Sequence, residues 1–297
     1  MIIIIIIIKF VLIILLSIAL GKIPLSKRKS RLIRTKDILN NEKVIIESHR
    51  GINREIFENT LEAFSLAINY GIDSLETDVW LSKDNVLVIY HGYGENGQLE
   101  GFYDYTGNIT EIEWKKLSTF RTIIDNLKMP TLKDVFLLTK NKIFLNLEIK
   151  DPRVDLLWPK LTKLIEKYNY YDQIAISSFF FDYYNKIKEY NKKYNKNILF
   201  GFLYHKNDTQ EFLFNKTGNS LNVYWNDATK DLCNKAHKNG MAVLVWFDML
   251  DEENFDVYKQ LIENGVNVIC SNEPMLAKKY INEYYQEFYQ NKQKRKR

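Results

Sequence analysis

The feature that most constrains the fold of this 297-residue chain is a repeated alternation of short apolar runs with helical runs. Eight runs have the β-branched and aromatic composition that favours strands, and they lie at 44–48, 73–78, 142–150, 174–179, 198–204, 221–225, 242–247 and 266–271. Helical patterns fill seven of the gaps. Strand–helix units of this kind form parallel sheets, and eight of them predict a closed (β/α)8 TIM barrel. A doubly wound open sheet is the alternative, but no Gly-rich turn follows the first strand.

A hairpin is predicted where the second strand continues as ETDVWLSKDNVLVIYHG, residues 76–92. Glu76 and Asp78 project to one face because strand side chains alternate. Asp84-Asn85 suits a two-residue loop, since both residues tolerate positive φ. That register would place His91 directly across from Asp78, with about 5 Å between their Cβ atoms. The stretch that follows the hairpin, 92–130, has no regular pattern.

The C-terminal ends of barrel strands are where functional side chains gather. The polar residues that end the first three strands are His49, Arg50, Glu76, Asp78, Glu148 and Lys150. Three carboxylates buried together are costly without a cation. Oxygen ligands without cysteine select a hard divalent ion, Ca²⁺ or Mg²⁺, over zinc. The two histidines, His49 and His91, could then act as acid and base.

These positions lie in a series of motifs that resembles the glycerophosphodiester phosphodiesterase family. In chain order the motifs are HRG at 49–51, ENTLEAF at 58–64, ETDVWLSKDNVLVIYH at 76–91, MPTLKDVF at 129–136, LNLEIK at 145–150, VLVW at 243–246 and NVICSNEP at 267–274. Each motif alone is weak, but their order and their span, from about residue 44 to about residue 274, make the set specific.

The resemblance implies a barrel hydrolase that releases sn-glycerol 3-phosphate and an alcohol from glycerophosphodiesters. It also implies that the hairpin and the stretch 92–130 form a small insertion above the C-terminal face of the barrel. The implied roles are metal ligands Glu76, Asp78 and Glu148, acid and base His49 and His91, and phosphate contacts Arg50 and Lys150. Glu58 and Trp246 are candidates for lining the substrate. For Glu58 the alternative is that it forms a helix start together with Asn59. For Trp246 the alternative is an indole packed in the core. One departure stands out, because Gly92 occupies a position where the family usually has Asp. This difference puts the orientation of the neighbouring imidazole or of the metal in question.

Two other functions fit the same residues. A lysophospholipase D-like reaction, with or without a cyclic phosphate product, agrees with the apolar N-terminus and the basic flanks. A non-catalytic barrel that binds phosphodiester headgroups agrees with Gly92. The non-catalytic barrel predicts that the wild type binds the ligand without turnover and that binding survives loss of His49 or His91.

The charge distribution excludes a nucleic-acid-binding face. Thirteen of the 42 basic residues lie near the termini, so the remaining chain carries 29 basic residues against all 37 acidic ones. Nucleic-acid-binding domains need a basic surface, which this acidic body does not offer. The predicted partner is a small or lipid-derived phosphodiester.

The terminal segments predict the localisation of the protein. Residues 1–21 are almost wholly apolar and end in Ala19-Leu20-Gly21, which is typical of a secretory signal peptide and an extracellular protein. An uncleaved membrane anchor is the alternative. A basic linker at 22–42 and a basic tail at 291–297 flank the predicted barrel domain, 43–290, and could contact an anionic membrane surface.

Overall fold

The computed structural model describes residues 43–94, 96–99, 101–205 and 218–294. Within these residues nine strands form one sheet: β1 Ile45–Ser48, β2 Ser74–Leu81, β3 Leu87–Ile89, β4 Phe144–Ile149, β5 Ile174–Ser178, β6 Leu199–Leu203, β7 Ser220–Tyr224, β8 Ala242–Trp246 and β9 Val268–Ser271. All except β3 pair in parallel, and β1 joins both β9 and β2, which closes the barrel. The predicted (β/α)8 barrel is confirmed, and the open sheet is wrong.

Eight α-helices accompany these strands in the described part of the chain. They are α1 Leu61–Asn69, α2 Trp114–Leu117, α3 Leu132–Thr139, α4 Val154–Tyr168, α5 Asp182–Tyr194, α6 Lys230–Lys238, α7 Phe255–Asn264 and α8 Pro274–Lys294. Short 3-10 turns occupy Ile109–Glu111 and Trp225–Asp227. Local sequence explains several helix starts; α3, for example, begins with a reciprocal capping box between Thr131 and Asp134.

The predicted signal peptide at 1–21 and the basic linker at 22–42 lie outside the described residues, as does the end of the predicted tail. No helix among the residues that are described has the length and apolar character needed to cross a membrane. The predicted segment boundaries therefore stay predictions.

Alternation along the strands separates the packed core from the site. In β4, Leu145 and Leu147 belong to the large apolar cluster between strands and helices. Asn146 and Glu148 face the opposite way, into the barrel, because successive strand residues alternate. A single strand thus supplies core packing on one face and polar groups on the other.

The insertion at 92–130 has a small core of its own. Its buried apolar residues, from Leu99 to Phe120, pack against Trp80 of β2 and Tyr90 at the end of β3. Because this second core is built on the β2–β3 hairpin, the hairpin holds the insertion next to the C-terminal end of the barrel. The predicted position of the insertion agrees with this arrangement.

The register of the hairpin differs from the prediction by one residue. Val79 pairs with Ile89, and the Tyr90 amide donates to the Asp78 carbonyl at 3.1 Å. The loop has three residues rather than two, with positive φ at Asn85 (62°) but not at Asp84. His91 is therefore one position beyond the residue opposite Asp78, and the predicted direct pairing is wrong.

Candidate active site

Three buried carboxylates meet on neighbouring strands. The register of β2 and β4 places Asp78 beside Glu148, and Glu76 lies two residues earlier on the same face of β2. Their side chains can bring one oxygen each within 4.8 Å of the others, as the prediction required. Glu76 Oε1 and Asp78 Oδ1 are buried and accept no hydrogen bond from the described residues. Orphaned acidic oxygens at this spacing fit a hard divalent cation.

The pKa values of the three carboxyls shift in different directions. Burial raises the pKa of Glu76, and repulsion from Asp78 raises it further. Burial also raises the pKa of Glu148, against the attraction of Lys150. Burial acts in the same direction on Asp78, but Lys150 and Arg50 overcome it and lower the pKa of that carboxyl. A bound cation would favour the ionised form of all three groups.

Arg50 enters the site from the loop after β1. Its backbone φ is +58°, a conformation that residues other than Gly, Asn and Asp rarely adopt. Its amide donates to Glu76 at 3.0 Å, and its guanidinium lies 3.1 Å from Glu58 and 3.4 Å from Asp78. Glu58, predicted to line the substrate, is the buried ion-pair partner that holds the guanidinium in place.

Lys150, directly after β4, is the second cation of the site. Its Nζ lies 2.6 Å from Glu148 Oε1 and 3.6 Å from Asp78 Oδ1. Arg50 and Lys150 therefore flank the triad while pairing with its acids. Their predicted contact with phosphate stays a prediction; as cations beside the triad they would attract an anion that binds there.

Asn59 is a site residue that the sequence interpretation misassigned. Its Nδ2 donates to Asp78 Oδ2 at 2.8 Å, and its Oδ1 accepts from Thr77 at 2.7 Å. The N-cap of α1 is Thr60, whose hydroxyl accepts from the Ala63 amide. The predicted helix start at Asn59 is wrong by one residue, because Asn59 takes a φ of +56° and turns inward.

His49 is held by a second amide that the sequence did not single out. Its Nδ1 lies 2.7 Å from Asn272 Oδ1. The orientation of that amide follows from its other side, where Nδ2 donates to the Asp248 carbonyl at 2.9 Å. Since Oδ1 can only accept, the His49 Nδ1 must carry the hydrogen. The neutral ring therefore has its lone pair on Nε2.

His91 follows β3 and is oriented by its backbone and by ring packing. Its carbonyl accepts from the Trp80 indole at 3.0 Å, and its ring centroid lies 5.4 Å from that of Tyr93. Its Nδ1 has no hydrogen-bond partner among the described residues. Burial, reinforced by Arg50, lowers the pKa of His91 to about 2 and that of His49 to about 3. Both rings are thus neutral at neutral pH before substrate binds.

Gly92 departs from the family pattern for a steric reason. Its φ is +65°, and an added Cβ would lie 2.8 Å from Gly97 Cα and 3.3 Å from Trp80 Nε1. An aspartate here would need both an unfavourable backbone conformation and displacement of the insertion. A side chain at this position would therefore collide with the insertion where it packs on the hairpin.

Trp246 is the last residue of β8 and is half-buried. It packs against the apolar cluster inside the barrel, and its ring lies 5.3 Å from Tyr224. Its indole nitrogen has no partner among the described residues. The ring therefore has a packing role, while its free N–H leaves the predicted substrate contact as a prediction.

Comparison with known proteins gives a consistent result. The chain matches the model of the glycerophosphoryl diester phosphodiesterase family over residues 49–276. It is 30% identical over 242 residues to a glycerophosphodiester phosphodiesterase of Caldanaerobacter subterraneus subsp. tengcongensis, with 78% of this chain and 95% of that protein covered.

Solved structures show the same fold. A protein from Galdieria sulphuraria superposes with a TM-score of 0.73 at 24% identity, covering 80% of this chain and 98% of the other. A phosphodiesterase from Oleispira antarctica, in complex with the product sn-glycerol-3-phosphate, gives 0.69 at 20% identity, covering 82% and 99%. Both matches span the barrel, which supports the fold assignment independently of sequence.

Proposed function

The chain belongs to the glycerophosphoryl diester phosphodiesterase family, and on that premise we propose that it hydrolyses glycerophosphodiesters to sn-glycerol 3-phosphate and an alcohol. The observation that carries the proposal is the buried triad of Glu76, Asp78 and Glu148. His49 and His91 both interact electrostatically with Asp78, so they belong to the same site. A barrel that only bound headgroups would have no need of two neutral imidazoles there.

Glu76, Asp78 and Glu148 would hold one hard divalent cation, Ca²⁺ or Mg²⁺. When bound, such a cation neutralises phosphodiester charge and stabilises the additional charge of the transition state. Arg50 and Lys150 would contribute in the same sense from either side of the triad. Their present partners, Glu58 and Glu148, keep both cations close to the position of the phosphate.

His49 is assigned as the base. Its Nδ1–H is engaged by Asn272, so its Nε2 lone pair is free to take the proton of the attacking water. The water oxygen bonds to phosphorus while the bond from phosphorus to the leaving oxygen breaks. His91, which takes up a proton from solvent when the phosphodiester anion binds beside it, gives that proton to the leaving oxygen. The bound phosphodiester anion favours this role, because nearby negative charge raises the pKa of an imidazole.

We also infer that the protein enters the secretory pathway. The support is the apolar stretch at 1–21 with its small-residue end. Mass spectrometry of the mature N-terminus tests this: a start near Lys22 supports cleavage, whereas an intact Met1 in the membrane fraction supports an anchor.

The test of the enzymatic proposal is release of sn-glycerol 3-phosphate from glycerophosphocholine by the purified protein with Ca²⁺ or Mg²⁺. His49→Ala and His91→Ala should each lower kcat by at least ~10²-fold. His237→Ala is the matched control, because this histidine is exposed on α6. Absence of the product with both ions, or activity that survives EDTA, would refute the proposal.

A further inference from the structure

A row of aromatic rings leads away from His91 across the insertion. The centroid of Tyr93 lies 5.4 Å from His91, that of Phe102 lies 5.4 Å from Tyr93, and that of Phe57 lies 5.9 Å from Phe102. Tyr93 is 51% exposed, and Phe102 and Phe57 are half-buried. We call these three residues the aromatic row. The row presents a partly open apolar surface that starts at one of the two catalytic imidazoles.

The outer end of the row continues into an apolar turn. The Ile123 amide donates to the Phe102 carbonyl at 3.0 Å, and Asp125 accepts from the Phe57 amide at 2.7 Å. Ile123 is 58% exposed and Ile124 is 76% exposed. Hydrogen bonds from the turn therefore reach the backbones of Phe102 and Phe57, and the two exposed isoleucines belong to this turn.

The turn is well ordered by its own hydrogen bonds. The Thr122 amide donates to the Leu127 carbonyl at 2.9 Å, and the Leu127 amide donates to the Thr122 hydroxyl at 2.9 Å. Arg121 and Lys128 pair across the base of the turn. The exposure of the two isoleucines is thus a fixed property of the fold, because the backbone around them is held at both ends.

The position of the row relative to His91 identifies what would cover it. Single exposed apolar residues are common on protein surfaces and imply nothing. This row, however, begins at the imidazole assigned to protonate the leaving oxygen. A substituent on that oxygen extends from the polar site past His91, and the next ring it meets is Tyr93. The group that matches this apolar surface is therefore an apolar substituent of the leaving alcohol.

We propose that Tyr93, Phe102 and Phe57 form a subsite for an alkyl or acyl chain carried by the leaving alcohol of a glycerophosphodiester. The inference rests on the proposed function and names its substrate class. Water adds to phosphorus, the bond to the chain-bearing oxygen breaks, and that oxygen receives the proton from His91. The products are sn-glycerol 3-phosphate, which stays at the cationic end, and a long-chain alcohol on the row.

The expected effect of chain length follows from burial of methylene groups. A fully buried CH₂ contributes about 0.8 kcal/mol, which is about a 4-fold gain in binding. The row covers one side of a chain, so about half of this energy, or about 2-fold per CH₂, is expected. Six additional CH₂ groups, from an ethyl to an octyl ester, should then raise kcat/KM by roughly 60-fold.

The experiment measures sn-glycerol 3-phosphate released from glycerophosphoethanol and glycerophospho-octanol, both below their aggregation concentrations. In the wild type the octyl ester should be preferred by roughly 60-fold. Tyr93→Ser should reduce this preference by about 8-fold, because contact with about three CH₂ groups is lost. Leu250→Ser is the matched control, since Leu250 is 98% exposed but belongs to the loop after β8. Its preference should equal that of the wild type.

Calorimetry on His49→Ala separates the subsite from the reaction. This variant lacks the proposed base, so the Kd of both esters can be measured without turnover. A tighter Kd for the octyl ester, weakened in the double variant with Tyr93→Ser, supports the subsite even if no ester is hydrolysed and the proposed function fails.

Three results would overturn the subsite. Equal kcat/KM for both esters would reject it while hydrolysis stands. Equal Kd values in His49→Ala would reject it independently of activity. Faster release of choline from lysophosphatidylcholine than of sn-glycerol 3-phosphate from the octyl ester would place the chain on the retained glycerol, opposite to the proposal.

Discussion

Replacing Asn272 by alanine tests whether one hydrogen bond sets the tautomer and the orientation of His49, the proposed base. The amide oxygen lies 2.7 Å from His49 Nδ1, and the amide nitrogen is fixed by the Asp248 carbonyl. The substitution leaves the backbone in place, because the residue 272 amide still donates to Glu253 at 2.8 Å. It therefore removes the acceptor for the imidazole without removing the anchor of its loop.

The magnitude follows from the bond that is lost. A buried hydrogen bond between neutral groups contributes about 0.5–1.5 kcal/mol net, which corresponds to about 2- to 13-fold. Loss of the fixed tautomer and ring orientation adds to this, up to the ~10²- to 10⁴-fold ceiling of general base catalysis. We expect kcat to fall by about 10- to 100-fold in Asn272→Ala. KM should change by less than about 3-fold, since Asn272 acts through His49 and not on the substrate.

The assay is a double-mutant cycle with His49→Ala. If Asn272 acts through the imidazole, Asn272→Ala should have no further effect on kcat once His49 is gone. Thermal unfolding of each variant reports any loss of fold. A loss that multiplies with that of His49→Ala, or no loss in the single variant, would refute the assignment of Nε2 as the base.

The aspartate variant adds a readout that a purely structural role would not change. In Asn272→Asp a carboxylate oxygen still accepts from Nδ1–H, but the other oxygen cannot donate to the Asp248 carbonyl, so kcat should recover only in part relative to Asn272→Ala. The negative charge also favours the protonated imidazole and raises the pKa of His49. The base must be neutral, so the acidic limb of the kcat profile should move to higher pH. An unchanged limb would contradict direct contact with the ring.

Further predictions concern the cation and three glycines. EDTA should abolish activity, and Glu148→Gln should raise the Ca²⁺ or Mg²⁺ concentration needed for half-recovery by at least ~10-fold; unchanged requirement would exclude Glu148 as a ligand. Gly92→Asp should lower stability by about 2 kcal/mol or more without raising kcat, because its φ is +65° and its Cβ would clash; a more active variant would refute this. Gly51→Ala should unfold at a lower temperature than Gly240→Ala, since both positions have positive φ but only the first places a Cβ 2.8 Å from Ala63. Equal melting temperatures would contradict the steric argument.

The barrel and the triad could be predicted because both depend on local periodicity. The eight strands are short apolar runs between helical patterns, and the period of two places Glu76 and Asp78 on one face. The adjacency of Asp78 and Glu148 follows from the pairing of consecutive parallel strands. Nothing in these inferences requires knowledge of loop conformation.

The errors all lie where the backbone departs from regular structure. A three-residue loop shifted the hairpin by one residue, because only Asn85 and not Asp84 adopts positive φ. Asn59 resembles a helix cap in sequence, but its left-handed conformation turns it toward Asp78. Asn272 lies 223 residues from His49, so only the closed barrel brings β1 and β9 together. Local patterns carry no signal for such contacts.

The absence of an aspartate at position 92 and the presence of the aromatic row have a common structural origin. Gly92 and Gly97 approach each other and the Trp80 ring so closely that neither position has room for a Cβ, and the Trp80 indole donates to the His91 carbonyl. The ring of His91 is then packed by Tyr93, with no hydrogen bond to its Nδ1 from any described residue. Packing by the insertion thus orients the proposed acid in place of a carboxylate. Tyr93 both packs against His91, the proposed acid, and forms the first ring of the aromatic row. The orientation of His91 and the preference for one leaving alcohol over another are therefore coupled.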